Sequence, residues 1–141
     1  MPAVEEAKTM RDGVILSPKA LPAYARGNGN KTIPLAGPWI GAGFLNGITV
    51  IAPGSGIALH THNCEESVLV LEGDAFAEIG GERHALARHD ASWIPADVPH
   101  RFINSSRTQP LTIFWTYARP DATRTIVETG ETRLVVSEHE R

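Results

Sequence analysis

The chain has 141 residues, 42% of them hydrophobic and 21% charged, which fits one soluble globular domain and leaves little room for two. Its formal net charge of −3 argues against nucleic acid as a partner, because phosphate binding calls for clustered Lys and Arg. No apolar run reaches the ~20 residues needed to cross a bilayer, and the first residues lack the apolar core of a signal peptide. A single cysteine, Cys64, excludes an internal disulfide and suits a reducing compartment, so the expected location is the cytoplasm.

Residues 1–30 are expected to form an N-terminal arm, partly irregular, ahead of a single domain over residues 31–141. The arm carries charge, a short apolar piece at Val14 to Leu16, and then Pro18 and Pro22, with a short helix near its start as one option. The run RGNGN at 26–30 is loop chemistry, since Gly and Asn take positive φ at little steric cost. From Ile33 onward short apolar segments recur between Gly, Pro, Asn and Asp: 39–52, 57–60, 67–73, 74–79, 82–86, 92–95, 100–104, 111–118 and 132–137. None makes a good amphipathic helix, and most are rich in β-branched or aromatic residues. Gly80-Gly81 between two such runs is a two-residue hairpin signal. Many short strands at this spacing predict an all-β sandwich or barrel, and the length suits a jelly-roll better than a large propeller.

Two stretches carry the chemistry. GSGIALHTHNCEESVLVLEG, from Gly54 to Gly73, holds His60, His62 and Glu66, and HDASWIPADVPHRFIN, from His89 to Asn104, adds His100. Side chains alternate faces along a strand, so His60 and His62 point the same way with Cα atoms roughly 6–7 Å apart. Glu66 and His100 are too distant in sequence for periodicity to place. If the strand beginning at Glu66 pairs back across the first, Glu66 returns to the same end of the barrel. Pro95 and Pro99 stiffen the approach to His100. If all four face the interior, each unpartnered polar group costs ~1–3 kcal/mol and a bare carboxylate costs more. One divalent cation would satisfy all four, and convergence on such an ion is the expectation.

These residues also resemble a known family, the single-domain cupins. Gly54, His60, His62, Glu66 and Gly73 match every fixed position of the first cupin motif, and Pro95, His100 and Asn104 match the second. The chain departs from the second motif at two glycines, where it has His89 and Asp97. The resemblance covers roughly residues 39–118. It implies a double-stranded β-helix barrel with His60, His62, Glu66 and His100 as the ligands of one divalent transition metal ion. Cupins include dioxygenases, decarboxylases, isomerases, cyclases, lyases and non-catalytic binders, so the resemblance does not fix a reaction.

Other residues call for assignment. Strand parity turns Glu65 outward, away from Glu66. Cys64 sits between the ligands and is a possible pocket residue, although an inert, half-buried thiol is the plainer reading. His84, His89 and His139 are expected to be surface or structural. Trp93, Phe102, Trp115 and Tyr117 are pocket candidates for which core packing is the default, and Phe102 is the one assigned to the pocket. Arg83, Arg88, Arg101 and Arg124 are candidates to hold a substrate carboxylate, and the sequence selects none of them.

Three neutral imidazoles and one carboxylate leave a divalent ion with a net charge of about +1 and open positions for water, dioxygen or substrate. Mn, Fe, Ni, Co and Zn all accept such ligation. The expected function is a metal-dependent enzyme acting on a small oxygenated molecule, a carboxylate, keto or enediol compound, by oxidation, isomerisation or lyase chemistry. The alternative is a non-catalytic, metal-anchored small-ligand binding or sensor module. The expected partner is a small, anionic molecule, with no nucleic acid and no membrane. A homodimer is also expected, because cupins of this size commonly pair and the 33–51 segment offers Trp39, Phe44 and a strand edge that needs cover.

Overall fold

Alternation of apolar and polar residues along short segments becomes alternation of buried and exposed side chains in the computed structural model, which describes residues 12–139. The strands are β1 (Tyr24–Gly27), β2 (Asn30–Pro34), β3 (Leu45–Ile51), β4 (His60–His62), β5 (Glu66–Glu72) and β6 (Ala75–Ile79), followed by β7 (Glu82–Leu86), β8 (Ala91–Ile94), β9 (His100–Asn104), β10 (Leu111–Tyr117), β11 (Thr123–Ile126) and β12 (Thr132–Leu134). Three short 3-10 turns, at Pro18–Ala20, Pro38–Ile40 and Val135–His139, supply the helical residues. None of the described helices is long and apolar enough to cross a membrane. An early helix falls outside the described residues.

Two six-stranded antiparallel sheets face each other, ordered β1-β2-β3-β10-β5-β8 and β12-β11-β4-β9-β6-β7. From β3 to β6 the chain changes sheet at every strand, and it does so again from β7 to β11, which is the winding of a jelly-roll. The all-β barrel expected from the segment pattern is therefore present. The inward faces of both sheets make one core, with Leu45, Ile51, Val68, Val70, Ile94, Leu111 and Ile113 among its members. Along β10 the inward residues run Leu111, Ile113, Trp115, Tyr117, and along β5 they run Val70, Val68, Glu66. Both gradients turn polar at the same end of the barrel.

Several local expectations hold. Gly80 and Gly81, at φ 58° and 87°, make the two-residue turn between β6 and β7. His89 and Asp97 stand in the left-handed region at φ 74° and 65°, so both non-glycine residues adopt the backbone that the motif glycines favour. The His89 N–H donates to Val70 O at 2.8 Å, and the Asp97 N–H donates to His62 O at 2.8 Å. These hydrogen bonds help hold the two turns in that conformation.

Other expectations need correction. The strand beginning at Glu66 does not pair across β4; it lies in the opposite sheet, between β10 and β8, so Glu66 reaches the interior from the facing wall. Strands β1 and β2 form a hairpin whose turn lies inside the RGNGN run, and β11 was not marked by any apolar segment. Trp39 sits in a 3-10 turn with Pro38 at its start, so only the second half of the 39–52 segment is strand. The last segment leaves the strand at Val135, where its N–H donates to Ala122 O and a 3-10 turn begins. β3 is paired on both sides, which leaves β1 and β8 as the edges of that sheet, while Trp39 and Phe44 stay substantially exposed.

Two features hold the two ends of the barrel in shape. Trp115 Nε1 donates to Thr49 Oγ1 at 2.8 Å, and the Thr49 and Thr32 hydroxyls lie 2.9 Å apart, all three residues buried. Asn104 anchors the other end of β9: its amide donates to Ile51 O and Gln109 O, and its Oδ1 accepts from Ser106 N–H.

Thr49→Val keeps the shape but leaves the Trp115 N–H and the Thr32 hydroxyl without a partner, so it is expected to lower the unfolding free energy by about 1–3 kcal/mol. A urea titration at constant m-value checks this. Gly73 and Gly81 form a second comparison, because both have φ near +90°. A Cβ on Gly73 would lie 2.6 Å from Pro110 O, whereas one on Gly81 meets nothing within 4 Å. Gly81→Ala should cost about 1–2 kcal/mol from the left-handed backbone alone. Gly73→Ala should cost a further ~1–3 kcal/mol from the collision with backbone. Equal losses in the same titration would show that the 110–111 backbone yields.

Candidate metal centre

Strand β4 is only three residues long, yet its two ends are both inward: His60 and His62 are 3% and 2% exposed. His100, the first residue of β9, is the direct cross-strand partner of His60. Glu66 opens β5 on the facing sheet, with Tyr117 and Ile94 as its lateral neighbours. One donor atom from each of His60, His62, Glu66 and His100 lies within 4.8 Å of the other three, and all four residues are buried.

The orientation of each imidazole is set from behind. His60 Nδ1 donates to Ala58 O at 2.6 Å, His100 Nδ1 to Val98 O at 2.8 Å, and His62 Nδ1 to Thr123 O at 2.9 Å. A carbonyl oxygen can only accept, so each Nδ1 carries the proton and, in the neutral ring, each Nε2 presents a lone pair to the interior. Asn63 supports this arrangement through its Oδ1, which accepts from the Thr123 N–H at 2.8 Å. The turn between Pro95 and Pro99 supports two ligand strands together, through Asp97 to His62 O and through Val98 O to His100.

The inward donors then face one another with the wrong charges. His100 Nε2 lies 2.9 Å from Glu66 Oε1, and His62 Nε2 lies 3.4 Å from the same oxygen without a hydrogen bond. A neutral imidazole has one N–H, and His100 gives it to Val98 O, so the close approach of its Nε2 to Glu66 is favourable only with a positive charge on or between the two groups. Burial pushes the Glu66 carboxyl up, but a hydrogen bond from His100 and the nearby His62 outweigh it and bring its pKa down to about 2. Burial, then the Arg124 charge, holds the His60 imidazole well below its usual range. An ionised carboxylate beside three imidazoles, of which His60 resists protonation, is a donor set that fits a divalent cation. Three imidazole nitrogens and one oxygen suit Mn, Fe, Co, Ni or Zn alike.

A cavity of about 30 Å³ adjoins the cluster, bounded on the core side by Phe102, Ile113, Trp115 and Tyr117. Tyr117 packs its ring 4.4 Å from that of His62, and Trp115 stacks on Tyr117 at 5.0 Å. Burial, then the Glu66 charge, pushes the Tyr117 hydroxyl well above its ordinary range, which keeps it a proton-bearing donor. A wider cleft of about 220 Å³ continues outward, and Arg26, Thr32, Thr49, Ile57, Arg124 and Glu138 border both spaces.

Phe102 lines the cavity, whereas Cys64 packs into the apolar core and does not line it. Burial pushes the Cys64 thiol up, against the pull of the Ala118 and Arg119 N–H groups. Glu65 is exposed and accepts from Trp93 Nε1 at 2.8 Å, so that tryptophan lies outside the cavity. Of the four arginine candidates, Arg83 and Arg101 are bound to Glu78, Arg88 is exposed, and Arg124 alone borders the site. His84 and His89 are exposed, but His139 lies against the cavity with its ring 6.1 Å from Trp115, and burial takes its pKa down to about 4. Sequence reasoning left Trp115 and Tyr117 to core packing and His139 to a surface or structural role, and it passed over Thr32, Thr49, Arg26 and Glu138 as site residues. Parity along β10 marks Trp115 and Tyr117; for Arg26, Glu138 and His139 no local signal exists, because Arg26 and Glu138 meet across 112 residues and the last 3-10 turn follows no strand periodicity.

Comparison with known proteins gives a consistent result. A family model for the cupin domain matches residues 47–117. The sequence is 32% identical over 108 residues to a protein named polyketide synthase CurC from Streptomyces cyaneus, covering 74% of this chain and 69% of that one. Among solved structures, the polyketide cyclase RemF from Streptomyces resistomycificus superposes with a TM-score of 0.67 at 20% identity, covering 86% of this chain and 84% of that chain. KdgF from Halomonas sp. superposes with a TM-score of 0.66 at 18% identity, covering 77% and 96%. The matched family model spans both histidine-bearing strands, β5 with its Glu66, and all of β10, and on this ground the chain belongs to the cupin family.

Proposed function

We propose that the protein is a metal-dependent enzyme acting on a small, oxygen-rich molecule with neighbouring carbonyl or enol oxygens, of the kind found in polyketides. The observation that carries this reading is the set of three backbone-anchored imidazoles converging with an ionised, buried Glu66 at the wall of an aromatic-lined cavity. The similarity to a curated polyketide synthase at 32% identity supports the substrate class.

His60, His62, Glu66 and His100 would hold one divalent transition ion. When bound, such an ion polarises a carbonyl oxygen and stabilises the negative charge that develops there as an enolate forms. The chain's own residues do the rest. The Nδ1 contacts to Ala58, Thr123 and Val98 keep the rings from turning. Tyr117 Oη donates a hydrogen bond to a substrate oxygen, because its hydroxyl stays protonated beside Glu66. Trp115 and Phe102 provide flat apolar surface for an unsaturated ring or chain and keep water from competing for the developing charge. Enolisation and ring closure are the reaction types this arrangement favours.

Two outcomes follow for the purified protein. Elemental analysis is expected to find about one divalent transition ion per chain, with a loss of nearly all of it in the His60→Ala/His62→Ala double variant. Equal metal in both proteins would remove the basis of the reading. Incubation of metal-loaded protein with linear 1,3-dicarbonyl probes such as 3,5-dioxohexanoate should give a mass-spectrometric product absent from chelator-treated protein. Tyr117→Phe should keep the metal but slow that turnover about 10²-fold, the usual loss when one hydrogen-bond donor to a developing oxyanion is removed. Probes that stabilise the fold yet are recovered unchanged would identify a binding module instead.

A further inference from the structure

Four buried side-chain atoms among the described residues lack a hydrogen-bond partner. One is His62 Nε2, in the donor cluster. The other three are Arg124 Nε, Glu138 Oε1 and His139 Nδ1, and all three residues border the same cavity. Arg26 Nη2 and Arg124 Nη1 both donate to a single oxygen, Glu138 Oε2, at 2.6 and 2.8 Å. The arginines come from β1 and β11, and Glu138 comes from the last 3-10 turn. Two guanidinium groups here share a single carboxylate oxygen, while its twin and a guanidinium N–H are unused. A carboxylate meeting Arg124 side-on would engage Nε together with Nη2, which here reaches only Tyr117 Oη at 3.5 Å, in the bidentate geometry that guanidinium favours.

The space points the same way. The inner cavity of about 30 Å³ has room for water but not for an organic molecule. Sites for small ligands typically enclose ~300–1,000 Å³. Glu138, Arg26 and Arg124 all border both the inner cavity and the 220 Å³ cleft outside it, so a ligand spanning the two would pass their ion pairs.

We propose that Arg26 and Arg124 form an oxyanion subsite for the ligand's carboxylate, and that Glu138 fills this subsite as an internal stand-in until a ligand displaces it. The inference deepens the reading above and rests on it for where the rest of the ligand goes, toward the wall of His60, Glu66 and Tyr117. The subsite itself needs no metal. It assigns the substrate class more narrowly, as an oxygenated compound bearing a carboxylate or an equally planar oxyanion at the end remote from the donor cluster.

The test uses benzoate as the probe and chelator-treated full-length protein in chloride-free buffer, followed by titration calorimetry. Glu138→Gln is expected to bind benzoate about tenfold tighter than wild type, as for a site otherwise open about a tenth of the time. Adding Arg124→Gln to that variant should lose at least the same factor. Unchanged or weaker binding by folded Glu138→Gln overturns the proposal. If Glu138→Gln does not fold, wild-type hydrogen exchange decides: benzoate should speed exchange of residues 135–139 several-fold, and unchanged or slower exchange overturns the proposal. Metal content is measured separately on untreated protein. Benzoate binding in a protein that takes up no metal supports the subsite while the metal reading fails, and metal uptake with no Glu138 effect overturns the subsite alone.

Discussion

The architecture of the site depends on three hydrogen bonds that point away from it. Each imidazole gives its Nδ1 proton to a backbone carbonyl, and this donation leaves an Nε2 lone pair facing inward. Without that constraint the three rings could rotate or change tautomer and settle their interactions with Glu66 as ordinary hydrogen bonds. With it, a buried carboxylate and three lone pairs are held within 4.8 Å of one another. A cation held among them would offset the cost of burying that carboxylate. The barrel's close-packed apolar walls make the cost larger, since they exclude the water that would otherwise screen it.

Much of the fold can be explained by how this cluster is carried. Two ligands come from β4, one from its partner β9, and the fourth from the facing sheet. Closing the gap between sheets therefore brings the donors together, and the apolar residues behind them, Val68, Ile94 and Ile113, supply the burial that drives the closure. Trp115 joins the two functions: its ring lines the cavity while its N–H ties β10 to Thr49 on β3.

The sequence was most readable where chemistry is local. Parity along a strand placed His60 with His62 and turned Glu65 outward, and Gly80-Gly81 marked its hairpin. It was least readable where the chain crosses between sheets. Nothing local distinguishes a β5 that pairs with β4 from one that lies opposite it, because both bury Val68 and Val70 equally well. The strands flanking the core, β1 and β11, went unmarked because their burial is incomplete and their residues are mixed in polarity. Arg124 stood among four equal candidates, since only tertiary structure shows that Arg83 and Arg101 are occupied by Glu78. The left-handed turns at His89 and Asp97 show that a motif's backbone requirement outlasts its residue type when surrounding hydrogen bonds are strong enough.

The Pro95–Pro99 turn has a consequence for rates. It holds His62 through Asp97 and His100 through Val98, so a single opening of this short loop loosens two of the four donors at once. Local openings of surface turns cost far less than global unfolding. An ion held at this site would therefore leave on the timescale of the loop's opening, while the barrel around it stays folded. Proline at both ends narrows the conformations that the loop can visit. The residence time of the ion and the stability of the fold then become separately adjustable properties, the first written in five residues and the second in the rest of the chain.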